Sequence, residues 1–497
     1  MNRFGWLPRG ADKLLLAAMP SEAASAVREP RAAAAPAPDG PVRPVPGGGR
    51  SVRERLQATL RHQPEALSPR ALRRVLAELQ AIIDPHVSEV EGGRRGEALA
   101  SWYAAAPLEQ RRDCWLLMSE QFVADQKLAK AAQAKYAAAV GTADEAVAEV
   151  RLRRATVSPR RRLLQRFSVF PDGIRFLVDL RAEMLPHLKT DRRLQALDVE
   201  MEYMFSTWFD VAFLDLRRIS WDSPASLIEK LIKYEAVHDI RGWDDVKNRL
   251  DSDRRCYGFF HPRLPEEPLI FVEVALMDEI AASITPLLDE TAAPANLATA
   301  TTAIFYSISN TQIGLRGVSF GDSLIKRVVE TLKDEFPRLK VFATLSPIPG
   351  FRPWLQKHAA AMFDQLGVKA QADLGRAAGH AKLTADALLA ALEKPLALGT
   401  KSPLRQFLIS GAAHYLGRAL VDGKPVDPVA RFHLGNGARV ERVNWAGDPS
   451  AKGLRQSYGL MVNYLYDINR LDRHRALLAS AKIPVSGAVK DLFPDAF

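Results

Sequence analysis

Residues 303–336, AIFYSISNTQIGLRGVSFGDSLIKRVVETLKDEF, decide the fold of the second half of this 497-residue chain. Ala303–Ser309 is rich in β-branched and aromatic side chains and predicts a β-strand. Asn310–Gly321 is a glycine-bearing loop, and the apolar side chains after Asp322 recur at helical spacing. A strand, a loop and a helix in this order direct backbone N–H groups and the positive end of a helix dipole at one point, which suits a phosphate group.

The loop itself, Arg316–Gly321, does not match the two best-known phosphate motifs. No Gly-Lys-Ser/Thr follows it, as in a Walker A loop, and it lacks the G-x-G-x-x-G of dinucleotide-binding folds. It resembles the Q/R-x-x-G-x-G/A loop of the GCN5-related acetyltransferase (GNAT) fold, which holds the pyrophosphate of coenzyme A, although Ser319 stands where glycine is preferred. An ordinary strand-to-helix connection is the alternative interpretation.

Three further segments of the second half read as strands: Leu269–Leu276, Lys340–Leu345 and Tyr458–Tyr466. A mostly helical insertion is predicted between the last two, over about residues 353–425. We therefore expect residues 191–497 to form one mixed α/β domain.

The first 190 residues differ from the second half in composition and in the spacing of their apolar side chains. Residues 1–50 are rich in Ala, Pro and Gly and are predicted to be a disordered lead-in. Residues 51–190 carry apolar side chains at helical spacing, and Ser68-Pro69 and Ser158-Pro159 each combine an N-cap residue with a first-turn proline. The predicted class is α+β: a helical bundle, serving assembly, followed by the mixed α/β domain.

The amino-acid composition limits the classes of partner and the cellular location that we expect for this chain. The net charge of +10 favours anionic ligands, but the excess is spread along the chain, with its densest run at Arg151–Arg162. No nucleic-acid-binding signature accompanies that run, so we expect no nucleic acid partner; a basic helical scaffold or nucleic-acid binder built on residues 51–190 is the non-enzymatic alternative. Cys114 and Cys256 are too few for a disulfide framework and favour a reducing compartment, with the cytoplasm as the expected location and the mitochondrial matrix as the alternative.

Neither a membrane segment nor a metal site is predicted. No apolar run approaches the roughly 20 residues that a membrane span needs. Metal-ligand spacings such as CxxC and HExxH do not occur. We therefore expect no membrane partner, no metal and no cofactor.

Two segments carry candidate reactive side chains. Val341–Phe351 is an apolar run in which Ser346 precedes Pro347 and Pro349, so the serine is held towards extended geometry at the end of a strand. In Arg431–Gly437, His433 lies between Phe432 and Leu434 and before a Gly-Asn-Gly turn. Apolar neighbours on both sides shield the imidazole from water, and the turn that follows brings it to the edge of its element.

These segments, taken with others, resemble the malonyl-CoA decarboxylase family. The similarity runs in order through Cys256–Pro262 (CYGFFHP), Glu267–Leu276, Phe305–Gln312, Ser346–Phe351, Phe432–Ala438, Val440–Asp448 and Gly459–Tyr464. It covers roughly residues 55–497 and is strongest from residue 200 onward.

The resemblance implies an N-terminal helical domain used in oligomerisation, a GNAT-like catalytic domain, and a homotetramer made from dimers. The family's catalytic serine and histidine fall on Ser346 and His433, and an aromatic hydroxyl near its site falls on Tyr466. Its malonyl-CoA loop falls on Arg316, Gly317, Val318, Ser319, Phe320, Gly321 and Asp322. Some members carry an acidic residue at the position of Ser319.

Decarboxylation of malonyl-CoA needs few protein groups. The thioester delocalises the carbanion as an enolate, so no cofactor is required. The protein supplies donors to the enolate oxygen, for which backbone N–H groups and the Asn436 amide are candidates, each worth roughly 3–4 kcal/mol. His433 is the expected proton donor, Ser346 is expected to hydrogen-bond the substrate, and an apolar pocket favours release of neutral CO2.

Two other enzymatic readings remain open. A serine and a histidine also suggest acyl-enzyme hydrolysis, although Ser346 lies in no G-x-S-x-G elbow and no acidic partner for His433 is evident. The main rival is a CoA-dependent N-acetyltransferase of the GNAT type, which needs an acceptor amine and has no use for a Ser/His pair.

Overall fold

The computed structural model describes residues 52–57, 67–318, 320 and 324–493. The predicted lead-in over residues 1–50 lies outside this range. So do Ser319, Gly321 and Asp322 of the predicted substrate loop.

The N-terminal region is built of helices, as predicted. Their bounds are α1 Val52–Gln57, α2 Pro69–Ile82, α3 Glu89–Ala105, α4 Leu108–Glu120, α5 Gln126–Ala139, α6 Glu145–Thr156, α7 Pro159–Phe167, α8 Gly173–Met184 and α9 Gln195–Trp208. The Ser-Pro signals are confirmed: Ser68 accepts a hydrogen bond from the N–H of Ala71 at 3.3 Å, and Ser158 caps α7 in the same way.

Part of the densest basic run contacts other helices of this region. The Arg161 Nε lies 2.9 Å from a carboxylate oxygen of Glu200 in α9, and Arg160 donates to the carbonyl of Ser119 in α4. Arg153 forms an exposed ion pair with Glu149 one turn earlier in α6. Arg160 and Arg161 therefore contribute to helix packing.

Helices α5 and α6 form a hairpin that buries little of its own surface. Within the described residues, α5 has no buried side chain and α6 buries only Ala148. Its exposed apolar side chains are Leu128, Val140, Val147 and Val150.

The second half is organised around a mixed eight-stranded sheet. Its strands are β1 Asp215–Ile219, β2 Arg254–His261, β3 Leu264–Met277, β4 Thr302–Asn310, β5 Val341–Thr344, β6 Ser346–Pro347, β9 Arg439–Asn444 and β10 Met461–Leu465; β7 Leu420–Val421 and β8 Lys424–Pro425 form a separate pair. The order in the sheet is β1-β2-β3-β4-β5-β10-β6, with β9 also paired to β10. All pairs are antiparallel except β4 with β5.

The remaining helices lie between these strands: α10 Ala225–Tyr234, α11 Trp243–Arg249, α12 Leu324–Glu335, α13 Phe351–Asp364, α14 Val368–Ala378, α15 Ala385–Ala391, α16 Pro403–Gly417, α17 Pro428–Gly435, α18 Ala451–Ser457, α19 Leu471–Ala479 and α20 Gly487–Lys490. A helical region followed by a mixed α/β region is therefore confirmed. Within the described ranges, no helix is both long and apolar enough to cross a bilayer.

One predicted strand starts too early. The sequence suggested a strand over Tyr458–Tyr466, but only Met461–Leu465 is extended. Tyr458 instead ends α18 in the left-handed conformation, with φ of +55°. The preceding helix thus takes the first residues of an apolar run that periodicity alone assigns to the strand.

A wedge opens where the parallel pair β4 and β5 ends. The register runs from Thr302 opposite Val341 to Phe305 opposite Thr344, and the N–H of Leu345 still donates to the Phe305 carbonyl at 2.9 Å. Beyond this point Ser346 stays paired with β10 on the opposite edge, while Pro347 and Pro349 have no N–H to donate towards β4. The second half of β4 separates from β6, and the space between them is where the candidate site lies.

Candidate active site

Ser346 lies at the start of β6, opposite Val462 of β10 and beyond the end of the pairing between β4 and β5. Its side chain is buried, and its hydroxyl donates to the Thr344 Oγ1 at 2.8 Å. Thr344 Oγ1 also accepts the backbone N–H of Tyr464 at 3.1 Å. Because residues two apart on a strand share a face, Thr344 lies beside Ser346 and holds its hydroxyl in place.

His433 lies in the last turn of α17, with its Nε2 3.2 Å from the Ser346 Oγ. The predicted glycine turn follows directly: Gly437 has a φ of +85°, and the N–H of Ala438 donates to the His433 carbonyl at 3.1 Å. A left-handed glycine ends the helix at this point. The structure thus brings together the two predicted catalytic residues, which are 87 positions apart in the sequence.

Tyr464 of β10 and Tyr466, which follows that strand, contact the other side of the imidazole. The Tyr466 hydroxyl lies 2.8 Å from the His433 Nδ1, and the Tyr464 ring stacks on the imidazole with centroids 4.6 Å apart. His433 is 3% exposed, and this burial lowers its pKa to about 3, so the free imidazole is neutral near pH 7. Within the described residues, the Nδ1 partner is a hydroxyl and not a carboxylate.

The hydrogen-bond inventory favours one tautomer of His433. Burial raises the pKa of Tyr466, so its hydroxyl keeps its proton, and the described residues offer that proton one acceptor, the His433 Nδ1. The imidazole proton then resides on Nε2 and points at the Ser346 Oγ, whose own proton is directed to Thr344. In that arrangement each atom of Tyr466, His433 and Ser346 in this chain has a hydrogen-bond partner, as buried polar groups require.

Ser346 and His433 line a cavity of about 710 Å³ that fills the wedge. Its walls are mainly apolar; the lining side chains include Ile270, Phe305, Ile308, Val318, Phe320, Leu324, Pro347, Val429 and Phe432. A largely apolar cavity with a few convergent polar groups is the usual form of a small-molecule site.

Asn436 also lines this cavity. Its Nδ2 donates one N–H to the Phe432 carbonyl at 2.8 Å, while its buried Oδ1 has no hydrogen-bond partner among the described residues. Because an amide NH2 carries two donors, the side chain still offers one N–H as well as the oxygen. Its expected role as a donor to the enolate stays a prediction.

The predicted substrate loop reaches the cavity with part of its length. Val318 and Phe320 line the cavity, whereas Arg316 and Gly317 are exposed to solvent. Buried Arg181 of α8 holds the loop by donating to the carbonyls of Gly314 and Arg316, at 2.7 and 2.9 Å. The contacts of Ser319, Gly321 and Asp322 are outside the described residues.

Sequence reasoning missed Thr344, Tyr464 and the carboxylate of Asp427. The first two were detectable, since each lies two positions from a predicted site residue on the same strand. Asp427-Pro428 is an N-cap followed by a first-turn proline, the same signal that correctly predicted two N-terminal helices. Applied here, it would have placed His433 on a helix.

The structure offers no evident metal centre. In the part of the chain that it describes, no three His, Cys, Asp or Glu side chains are grouped so as to hold an ion. The expectation of a reaction without cofactor stays a prediction.

A buried serine–histidine pair inside an apolar cavity defines the class of site: it is that of an enzyme acting on a small acyl or related ligand. Comparison with family models identifies the family within this class of enzymes. The model described as the malonyl-CoA decarboxylase N-terminal domain matches residues 122–209, and the model of the C-terminal domain matches residues 212–497. The chain belongs to the malonyl-CoA decarboxylase family.

Individual relatives agree with this assignment. The chain is 37% identical over 336 residues to the mitochondrial malonyl-CoA decarboxylase of Anser anser anser, covering 64% of this chain and 66% of that protein. It is 39% identical over 335 residues to the Rattus norvegicus protein of the same name, covering 64% and 68%. The chain thus spans about two thirds of the length of these relatives.

A solved structure covers more of the chain. The crystal structure of malonyl-CoA decarboxylase from Cupriavidus metallidurans is 44% identical, with a TM-score of 0.70, and the match covers 85% of this chain and 100% of that one.

Proposed function

We propose that this protein is a carboxy-lyase that converts malonyl-CoA to acetyl-CoA and CO2, with Ser346 and His433 acting on the substrate. The observation that carries the proposal is the 3.2 Å contact between the His433 Nε2 and the Ser346 Oγ inside the apolar wedge. Membership of the malonyl-CoA decarboxylase family supports the choice of substrate.

The reaction breaks the bond between the carboxylate carbon and the α-carbon of the malonyl group. The electron pair of that bond passes into the thioester as an enolate, and neutral CO2 leaves. A hydrogen bond from the His433 Nε2 favours the enolate because it meets charge that develops in the transition state, and Ser346 fixes the position of that nitrogen. A proton from the His433 Nε2 then completes the new methyl group, so each turnover takes up one proton.

The charge state of His433 is set by the substrate in this scheme. In the free protein burial lowers its pKa to about 3, so the imidazole is neutral. A malonyl carboxylate entering the wedge is an anion within reach of the ring, and an adjacent opposite charge raises a histidine pKa. The ring therefore gains a proton when the substrate binds and holds it until the enolate forms.

The rest of the CoA ester is assigned to the wall of the wedge. Apolar side chains of β4 and α17 suit the thioester arm, and the free Asn436 Oδ1 accepts an N–H group of that arm. We place the phosphates near Arg316–Asp322, at the loop before α12, as the sequence predicts.

The geometry gives less support to acyl-enzyme hydrolysis. That reaction needs the Ser346 hydroxyl to pass its proton to the His433 Nε2, with an anionic group behind the imidazole. The observed chain directs the serine proton to Thr344 and has the Tyr466 hydroxyl behind the ring.

The test is a coupled assay for acetyl-CoA. Purified protein is given malonyl-CoA and EDTA, with no added cofactor or amine, beside His433→Ala and the control His358→Ala, which alters an exposed histidine of α13. We expect acetyl-CoA from the wild-type protein and the control, and loss of activity in His433→Ala. Binding of malonyl-CoA without acetyl-CoA formation would contradict the proposal and indicate a CoA-dependent transferase.

We also propose a homo-oligomer, a tetramer made from dimers, assembled through the N-terminal helices. The α5–α6 hairpin supports this, because its apolar residues Leu128, Val147 and Val150 are exposed. For the location we propose the cytoplasm, which agrees with Cys114 and Cys256 being buried free thiols.

A further inference from the structure

Asp427 is a buried carboxylate directly before the helix that carries His433. It is 1% exposed, and its two oxygens have different partners. The Oδ1 accepts the N–H groups of Val429 and Ala430, both at 2.9 Å, and so caps α17. The Oδ2 faces away from that helix.

The second oxygen contacts the segment that carries Ser346. It accepts the backbone N–H of Gly350 at 3.4 Å and the hydroxyl of Tyr415 at 3.2 Å. Gly350 follows Ser346 by four residues, and Pro347 and Pro349 fix two of the intervening φ angles. One carboxylate therefore joins the stiff turn after Ser346 to the first turn of the His433 helix.

Packing leaves this contact little freedom. A Cβ added to Gly350 would lie 2.2 Å from the Tyr415 hydroxyl and 3.4 Å from the Asp427 Oδ2. Tyr415 belongs to α16, so the long helical insertion returns to the site at this point. An ordinary cap such as Asp125, by contrast, bonds only N–H groups of its own helix, those of Lys127 and Leu128, within the described residues.

We propose that Asp427 is a positioning residue that holds the His433 Nε2 at hydrogen-bonding distance from the Ser346 Oγ. The inference rests on the decarboxylase function proposed above. Misplacing a reacting group by about 1 Å costs on the order of 10²-fold in rate. A single link between the two segments is therefore expected to act on turnover more than on substrate binding.

Asp427→Asn is the variant that separates capping from positioning. The amide keeps one oxygen for the N–H groups of Val429 and Ala430, but its Nδ2 then faces the Gly350 N–H, and two donors do not bond. We expect kcat to fall by about 10-fold, with KM for malonyl-CoA within about 2-fold of wild type and the melting temperature nearly unchanged. Tyr415→Phe, which removes the other partner of Oδ2, is expected to act in the same direction.

A double-mutant cycle distinguishes positioning from a general structural role. In the Ser346→Ala background there is no serine hydroxyl to align, so the effect of Asp427→Asn is expected to shrink to less than about 2-fold. The control Asp125→Ala removes a cap far from the site and should leave kcat at the wild-type value.

The outcomes separate the two proposals. Wild-type protein that forms no acetyl-CoA would overturn the proposed function. Active wild-type protein with an unchanged kcat in Asp427→Asn, or an undiminished effect in the Ser346→Ala background, would overturn the positioning role alone. Should Asp427→Asn fail to fold, Tyr415→Phe provides the same comparison.

Discussion

At the scale of single residues, the site is a chain of hydrogen bonds rather than a pair. Tyr466, His433, Ser346 and Thr344 follow one another at 2.8, 3.2 and 2.8 Å. Because all four are buried, each proton has one favourable direction, and the chain points the imidazole N–H into the wedge. The direction of each hydrogen bond in the chain follows from the other hydrogen bonds that its two atoms make.

Ser346→Ala and His433→Ala should each lower kcat by about 10²-fold or more, because in the proposed mechanism each variant lacks a group that acts on the substrate. The measurement is acetyl-CoA formation by protein whose circular dichroism spectrum matches wild type. Near-wild-type rates in both variants would contradict the assignment of the pair.

Tyr466→Phe should lower kcat by about 10-fold, because it removes the hydroxyl that fixes the imidazole tautomer. Tyr458→Phe is the matched control: its buried hydroxyl has no hydrogen-bond partner among the described residues, and it lies outside the cavity lining. Steady-state kinetics on both variants check this, and equal effects would rule out a specific role for the Tyr466 hydroxyl.

The pH dependence of stability should report the burial of His433. Its pKa is about 3 in the folded chain and about 6.5 when unfolded, so the unfolded state binds more protons between these values. Stability therefore falls as the pH falls through this window, by about 2 kcal/mol between pH 7 and pH 5.

The measurement for that effect is urea unfolding of wild type and His433→Asn at both pH values. Carboxylates common to the two proteins cancel in the difference. We expect wild type to lose more free energy of unfolding than the variant between pH 7 and pH 5, and equal losses would show that His433 is not held neutral by burial.

At the scale of elements, the site depends on where two strands part. Apolar, strand-like runs predicted β4 and β5. Their pairing ends where Pro347 and Pro349 follow Leu345, because alternate residues direct their backbone nitrogens to the same edge and proline has no N–H to donate to β4. β10 lies on the opposite edge, where it pairs with Ala343 and Ser346 in one register. Local motifs thus predicted the candidate side chains, whereas the cavity depends on contacts between β4, β6 and α17, which lie far apart in the sequence.

One predicted strand has the wrong start. The strand predicted over Tyr458–Tyr466 begins only at Met461 because a helix cap competes for the same apolar residues. That outcome depends on backbone groups whose partners the sequence does not reveal.

Arg316→Ala should raise KM for malonyl-CoA by about 10-fold with kcat nearly unchanged, because a lost charged hydrogen bond to phosphate costs roughly 1.5 kcal/mol of binding. The exposed position of Arg316, outside the cavity lining, fits a role remote from the reacting atoms. The control is Arg151→Ala, in exposed surface of α6. An unchanged KM would contradict the phosphate assignment of this loop.

At the scale of the whole molecule, the N-terminal helices and the sheet region divide the tasks. The helices contribute Arg181, which holds the loop before α12, and they present the exposed α5–α6 hairpin. The sheet supplies the wedge and its reactive groups. An assembly through the hairpin would leave the wedge's own side chains unaltered.

Val147→Glu combined with Val150→Glu should reduce the assembly, because charged groups are costly in an apolar contact. Light scattering after gel filtration is expected to give about four times the mass of one chain for wild type and a smaller mass for the variant. Val368→Glu, in an exposed position of α14, is the control. A single-chain mass for wild type would contradict the proposed oligomer.

The position of β10 has a consequence for how the protein is made. This strand, Met461–Leu465, pairs with β5 and β6 along one edge and with β9 along the other, although it is the last strand of the described residues. A nascent chain that has not yet released β10 from the ribosome has neither a partner for Ser346 nor the tyrosine behind His433. The active site is therefore among the last parts of the molecule to form, and translation stalled before residue 461 would yield a long but inert polypeptide with an open sheet edge.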